Sequence, residues 1–213
     1  MADFSRVVAI VPVRSLAGSK SRLGEPLDPE ERADLILGFL RRTVAAARGA
    51  RSVAVVVVVS QDAELLKLAG GMGARTLLQQ TDGLNEALVE ARLMFCADAS
   101  ALLVLPADLP GVAAQAVDRF AEAAARVADG NPERPVVGLV PDRHATGTNA
   151  LVVSPPCAIE FEFGEGSRAA HRAAAAGAGA AYFELDGPLA FDVDTAEDLL
   201  QADMAGLGHE AGR

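Results

Sequence analysis

The chain has 213 residues, 51% of them apolar, with no Trp, one Tyr and a formal net charge of −10. That length fits a single domain burying roughly 70% of the surface its unfolded chain exposes, and so acidic a balance excludes a general nucleic-acid surface, which is basic. The longest apolar run, Val53 to Val59, is far short of the ~20 residues that cross a bilayer. Met1-Ala2-Asp3-Phe4-Ser5-Arg6 lacks the basic start and apolar stretch of a secretion signal. The expectation is a cytoplasmic protein that engages neither nucleic acid nor membrane, with a homodimer left open. Cys96 and Cys157 form no ligand cluster and read as reduced core residues rather than a disulfide.

Strand-like apolar runs alternate with helix-like stretches along the chain. The first strand, Val7–Val13, leads into Arg14-Ser15-Leu16-Ala17-Gly18-Ser19-Lys20-Ser21-Arg22-Leu23. No acid occurs from residue 4 to residue 24, whereas Arg6, Arg14, Lys20 and Arg22 all fall there. Such a basic island in an acidic chain suits a compact anionic ligand. Small residues let backbone N–H groups approach a polyphosphate while the side chains neutralise it; an ordinary solvated loop is the plain alternative. The loop is not a P-loop, since Gly-Lys-Ser/Thr is missing, and no G-x-G-x-x-G follows the strand. Asp28-Pro29-Glu30-Glu31 then starts a helix with a cap, a Pro and acid in the first turn. Leu35, Ile36, Phe39, Leu40 and Val44 follow at helical spacing.

Next come a strand at Val53–Ser60, a helix at Asp62–Gly70, a strand at Ala74–Leu78 and a helix at Leu84–Ala97. Gly83-Leu84-Asn85 opens that last helix. The Asn85 amide offers a donor and an acceptor to a base edge, or it caps the helix; spacing does not choose. A strand at Ala101–Pro106 runs into Ala107-Asp108-Leu109-Pro110, followed by a helix at Ala113–Ala128 and a strand at Val136–Val140. From Asp142 to Gly166 the alternation breaks into Gly, Pro and short polar residues, predicting substrate loops over the sheet edge and a hairpin around a strand at Asn149–Val153. Within it, Gly147-Thr148-Asn149 and Phe163-Gly164-Glu165-Gly166-Ser167 offer hydroxyls and backbone donors. Ser167 is placed as the cap of a helix at Ser167–Ala176, whose N-terminus suits an anion; turn chemistry alone is the competing reading. His171, one turn on, either supports the site or is a satisfied structural histidine. The chain closes with a strand at Ala181–Leu185, a short strand near Leu189–Phe191, then Asp192-Val193-Asp194-Thr195, a helix at Ala196–Met204 and a frayed tail over 206–213.

Nothing along the chain reads as a domain linker. The pattern predicts one domain, 1–213, of the α/β class: a three-layer α/β/α sandwich on a mostly parallel sheet. The unbroken apolar runs Val53–Val59 and Ala101–Leu105 belong in strands covered on both faces.

Asp108, Asp192 and Asp194 each follow a strand, so they fall at the carboxyl edge, where open α/β sheets bind ligands. In extended chain Asp192 and Asp194 point to the same side. Clustered carboxylates repel unless a cation lies between them, and Mg²⁺ takes a few carboxylates plus substrate phosphates. Singly, each has a structural reading: Asp194 or Thr195 caps the next helix, and Asp108 holds the turn before Pro110. Together with the basic loop they favour a metal-dependent enzyme acting on a phosphate compound. No metal-ligating His/Cys set accompanies them.

Read together, the segments resemble the guanylyltransferases of deazaflavin coenzyme F-420 biosynthesis. The matching stretches are Pro12-Val13-Arg14 with Lys20-Ser21-Arg22-Leu23, Gly83-Leu84-Asn85, Pro106-Ala107-Asp108-Leu109-Pro110, Gly147-Thr148-Asn149, Phe163-Gly164 with Ser167, and Asp192-Val193-Asp194-Thr195, in family order. The resemblance implies a nucleotide-diphospho-sugar transferase-like nucleotidyltransferase fold. It implies transfer of GMP from GTP to 2-phospho-L-lactate or phosphoenolpyruvate, with Mg²⁺ as the metal. By the same resemblance, Asp108, Asp192 and Asp194 are the metal carboxylates and Thr148, Gly164 and Ser167 hold the phosphorylated acid. Arg14, Lys20 and Arg22 would serve the GTP phosphates and could also reach the acceptor, with Arg14, Lys20 and Asp108 closest to the chemistry, and Asn85 would face guanine. Arg14 stands where Lys is expected, which changes donor geometry but not charge. Gly18-Ser19 stands before Lys20 where Ala is expected. The competing classes are a nucleotidyltransferase for molybdopterin or a sugar phosphate, a metal-dependent glycosyltransferase using a nucleotide sugar, and a non-catalytic binding module.

Overall fold

A computed structural model describes residues 4, 6–13, 28–193 and 198. In chain order they form β1 (Val7–Pro12), α1 (Pro29–Gly49), β2 (Val53–Ser60), α2 (Ala63–Gly71), β3 (Arg75–Leu78), α3 (Leu84–Phe95), β4 (Ala101–Val104), α4 (Ala114–Gly130), β5 (Val136–Pro141), β6 (Thr148–Ser154), α5 (Ser167–Gly177) and β7 (Ala181–Glu184). The strands make one seven-stranded sheet in the order β3-β2-β1-β4-β6-β5-β7. All neighbours pair in parallel except β6, which runs antiparallel to both β4 and β5. This is the expected mostly parallel α/β/α sandwich. The helix expected at Ala196–Met204 lies outside the described residues, apart from Asp198, which is helical.

Period-two alternation sorts each central strand between two cores. Val7, Ala9 and Val11 of β1 and Ala101 and Leu103 of β4 face Leu40 and Val44 of α1, Leu65 of α2 and Phe120 of α4. Val8, Ile10, Leu102 and Val104 face Leu88 and Ala91 of α3 and Ala175 of α5. With helices over both faces, the strands carry no polar side and read as continuous apolar runs. Gly138 on β5 is a packing requirement: a Cβ there would lie 2.2 Å from the Phe183 ring, which meets Phe120 edge-on at 6.1 Å between centroids.

The helix starts follow their sequence signals. Asp28 accepts from the amides of Glu30 and Glu31, and its own amide donates to the Glu31 carboxylate at 3.0 Å, closing a capping box with Pro29 behind it. Asp62 caps α2 with its side chain alone, accepting from the amides of Glu64 and Leu65. Asp118 of α4 ties that helix to the start of β2, accepting from the Ser52 amide at 2.9 Å and hydroxyl at 2.7 Å. Burial pushes the Asp118 carboxyl up, but the Ser52 donors and Arg51 outweigh it and hold it below the usual carboxylate range.

Three expectations need correction. The piece near Leu189–Phe191 is not a strand: Pro188–Ala190 is a single 3-10 turn, set by Pro188 at its start, where a fixed φ suits a helical turn and a missing N–H cannot join a ladder. Ser167 does not cap α5; the cap is Gly166 at φ 70°, and Ser167 is the first helical residue. Cys157 is exposed rather than in the core, whereas Cys96 is buried as expected; burial pushes the Cys96 thiol up to about 11 against the opposing charge of Arg92. Among the described residues no helix is long and apolar enough to cross a membrane.

Candidate active site

The sheet collects those expected site residues that are described along one edge. Asp108 lies beyond the end of β4, Asn85 beyond β3, and the Asp142–Gly147 turn joins the end of β5 to the start of β6. Because β6 is reversed, its first residues, Thr148 and Asn149, sit at the carboxyl edge of its neighbours. After β6 the chain must return across the sheet before α5 begins, and Ile159 and Phe161 are buried against the α3 side as it does so. That return carries Phe163–Ser167 to the same edge.

Asp108 and Asp192 belong to segments joined by main chain: the Val193 amide donates to the Asp108 carbonyl at 3.1 Å. Each segment is anchored in α1. Thr43 and Arg42 donate to the carbonyls of Ala107 and Pro110 at 3.4 and 3.1 Å. Val193 is fully buried against Phe39, so alternation turns the flanking residue Asp192 away from α1. The Asn149 amide reaches the Asp192 Oδ1 at 3.4 Å. Asp194, the third expected carboxylate, lies outside the described residues, as do Arg14, Lys20 and Arg22. Among the described residues no group of three or more metal-ligating side chains occurs. Asp108 and Asp192 offer hard carboxylate oxygens on segments fixed to each other, a donor chemistry that fits Mg²⁺.

The second half of the site is built around His171, which is fully buried on α5. Its Nε2 accepts the Glu162 amide hydrogen at 3.0 Å, and its Nδ1 lies 3.1 Å from the Thr148 hydroxyl oxygen. The Phe163 ring packs edge-on against it at 4.9 Å. Burial pushes the imidazole down to about 4, with a hydrogen bond to the Ser167 main chain opposing, so the ring is neutral near pH 7. Asn85 holds the same loop from the other side: its amide nitrogen donates to the Phe163 carbonyl at 3.0 Å, and its oxygen accepts the Phe163 amide at 2.9 Å. Both ends of that amide, expected to face a base, are therefore engaged with main chain.

The start of α5 is less open to an anion than a bare helix end. The amides of Ser167, Arg168, Ala169 and Ala170 already bond the carbonyls of Gly164, Thr146, Gly166 and Gly166. The donors left over lie just before the helix: the Gly164, Glu165 and Gly166 amides take no hydrogen bond among the described residues. Gly164 and Gly166 both have positive φ, 136° and 70°, a geometry that places successive N–H groups along a turn. The Ser167 hydroxyl likewise has no partner among the described residues, although Ser167 is only 2% exposed. A buried polar group without a partner is rare in native structures, which makes the Ser167 hydroxyl a candidate ligand contact.

Sequence reasoning missed Arg143. It pairs with the buried Asp198 carboxylate and lies over the Phe191 ring at 5.2 Å, tying the β5–β6 turn to the chain on either side of the aspartates. No local motif signals a contact between residues so far apart. An open groove of about 370 Å³ lined by Phe4, Ser52 and Asp118 lies at the opposite edge, where β1 and β2 begin, remote from all these residues.

A family model described as guanylyl transferase, CofC-like, matches residues 7–212. The chain belongs to that family. It is thereby an enzyme of the nucleotidyltransferase class. A phosphoenolpyruvate guanylyltransferase of Rubrobacter xylanophilus is 44% identical over 202 residues, 94% of this chain and 95% of the relative. Another protein of that name, from Sphaerobacter thermophilus, is 43% identical over 194 residues, covering 90% of each. Among solved structures, a nucleotidyl transferase from Methanothermobacter superposes with a TM-score of 0.63 at 16% identity, over 96% of this chain and 99% of that one, a likeness of fold. The glycosyltransferase and non-catalytic readings lose their support to this membership.

Proposed function

We propose that this family member transfers the guanylyl group of GTP to phosphoenolpyruvate, releasing pyrophosphate, as a step toward coenzyme F-420. The observation that carries the choice of acceptor is the near full-length likeness to relatives named for that reaction. The site supports a small phosphorylated carboxylic acid in general. Thr148, the Gly164–Gly166 amides and the orphan Ser167 hydroxyl gather hydrogen-bond donors on the same edge as Asp108 and Asp192. In this reading they hold the acceptor, and the carboxylates of Asp108, Asp192 and Asp194 hold Mg²⁺. Bound there, Mg²⁺ would neutralise phosphate charge and align the two substrates.

The chemistry asks little else of the protein. A phosphate oxygen of the acceptor attacks the α-phosphorus of GTP in line; a new P–O–P bond forms, and the bond to the β-phosphate oxygen breaks as pyrophosphate leaves. The attacking phosphate is already largely ionised near neutral pH, so no general base is needed, and the neutral, fully engaged His171 is no candidate for one. Alignment and charge stabilisation carry the rate, with Arg14, Lys20 and Arg22 as the cations on the GTP phosphates.

The test is pyrophosphate release with Mg²⁺ and GTP or ATP, offering phosphoenolpyruvate, 2-phospho-L-lactate and 3-phosphoglycerate separately. GTP-dependent release with phosphoenolpyruvate is expected. Release only with 2-phospho-L-lactate keeps the chemistry and changes the acceptor; release with none of the three overturns the reading.

A further inference from the structure

We propose that His171 is a positioning residue: it keeps the Thr148 hydroxyl proton available to the acceptor's anionic group and fixes the Glu162–Gly164 backbone beside it. This rests on the reading that Thr148 and Ser167 hold the acceptor. One hydrogen-bond direction around the ring is fixed by the donor's chemistry. The Glu162 amide can only donate, so His171 Nε2 uses its lone pair to accept at 3.0 Å. A neutral imidazole carries one proton, which therefore sits on Nδ1. With Nδ1 protonated and Nε2 accepting, the ring has no lone pair left for Thr148. The Thr148 oxygen, 3.1 Å away, shares the Nδ1–H with the Ser167 carbonyl one turn earlier; with no ring lone pair to donate to, the Thr148 proton is not spent on the ring. A hydroxyl held this way is a committed donor, suited to a phosphate or carboxylate oxygen and unsuited to a group that must donate to it.

The same ring joins all three parts of the acceptor site. It touches Thr148 at the start of β6, Glu162 and Phe163 in the return segment, and, through its own helix, Ser167 one turn earlier. Its full burial keeps it from contacting substrate directly, so it acts through its neighbours. Burial also keeps it neutral, pushed down to about 4, so the ring carries a single proton across the working pH range.

Two measurements test this. In the first, long-range ¹H–¹⁵N NMR of the wild-type imidazoles reads the tautomer without any substitution. The Nδ1–H form is expected for His171; the Nε2–H form overturns the proposal, since Thr148 would then spend its proton on the ring. In the second, His171→Asn, Thr148→Val and the double variant are assayed by pyrophosphate release with GTP and phosphoenolpyruvate, after thermal unfolding has established that each is folded. His171→Asn should raise the acceptor KM by roughly tenfold, about what one committed hydrogen bond contributes, with the KM for GTP within about twofold. In the Thr148→Val background it should add much less, because the two residues act as one unit. An equal effect of His171→Asn in both backgrounds, or none in either, sinks the proposal while the acceptor site stands. If Thr148→Val leaves the acceptor KM unmoved, the acceptor-site reading fails and takes the proposal with it.

Discussion

Replacing Asn85 by Ala separates the two roles open to it, a contact with the proposed guanine base and a clamp on the Phe163 segment. The substitution removes two bonds to the Phe163 main chain, at 3.0 and 2.9 Å. Each such bond contributes about 1 kcal/mol net, and a backbone group left without a partner costs more the deeper it is buried. Phe163 and Asn85 are half-buried, so water recovers part of the loss, and the sum is about 2 kcal/mol. For a domain of this size that lowers Tm by about 4–8 °C. If binding the acceptor has to re-order the loosened segment, the same 2 kcal/mol appears as a roughly 30-fold rise in acceptor KM, with the KM for GTP unmoved. Asn85→Asp keeps an acceptor for the Phe163 amide but turns an oxygen toward the Phe163 carbonyl, so it should recover at most one of the two bonds. Thermal unfolding and initial rates of pyrophosphate release, varying each substrate in turn, read both effects. A rise in the KM for GTP with the acceptor KM unchanged refutes the clamp and returns Asn85 to the guanine side.

Other outcomes follow from the same geometry. Asp108→Asn should abolish transfer while leaving thermal unfolding within a few degrees of wild type, checked by pyrophosphate release and calorimetry; gross unfolding would mark the carboxylate as a turn-holding group instead. Stability should fall as pH drops from about 6.5 toward 4. Over that window the unfolded chain binds a proton at His171 that the folded one refuses, worth about 3 kcal/mol in all. Asp118, held below the usual carboxylate range, loses its contribution only at lower pH; urea midpoints at several pH values should therefore flatten between 6.5 and 4 in His171→Asn. A thiol reagent should label Cys157 quickly in native protein and Cys96 only on unfolding, since one is exposed and the other buried with its thiol pushed up to about 11; two fast thiols would contradict the packing under α3.

The elements that sequence located best are those whose own chemistry sets them. The apolar runs Val53–Ser60 and Val136–Val140 lie within one residue of β2 and β5, because a strand covered on both faces has no polar position to blur its ends. Asp28-Pro29-Glu30-Glu31 became a complete capping box because every part of that device is local. The errors occur where tertiary context decides. Ser167 looked like a cap, but Gly166 takes the left-handed conformation needed for the entry to α5, and Ser167 is drawn inward to become a buried hydroxyl. For Asn85 the spacing left a base contact and a cap equally open, and only the fold brings Phe163 to it across 78 positions. The pairing of Arg143 with Asp198 is of the same kind. Among the carboxylates, Asp108 was legible as a residue just past a strand end; Asp192 follows a 3-10 turn rather than the expected strand, and the main-chain bond from Val193 to Asp108 joins the two, whereas the basic loop and Asp194 lie outside the described residues.

What brings Thr148 and Asn149 to different parts of the candidate site is a register irregularity in the hairpin of β5 and β6. Leu139 pairs with Leu151 and Val140 with Ala150, but Pro141 pairs with Thr148, so Asn149 is an extra residue. Without that bulge, strict alternation would put Thr148 on the side of Ala150, toward α1 and α4. With it, Thr148 joins the side of Leu139 and Leu151, where α5 brings His171 to meet it, and Asn149 is released from the ladder to reach Asp192. Bulges twist a strand and re-aim side chains in this way. One added residue thus sends two neighbours to different tasks, Thr148 toward the acceptor loop and Asn149 toward the carboxylates. Gly147 completes the turn: a Cβ there would sit 2.7 Å from the Asp142 carboxylate, which accepts the Thr146 amide at 2.8 Å. Deleting Asn149 to restore regular pairing would therefore damage both halves at once, whereas Asn149→Ala keeps the bulge and loosens only Asp192. A larger loss of acceptor binding in the deletion than in the alanine variant is the result this arrangement requires.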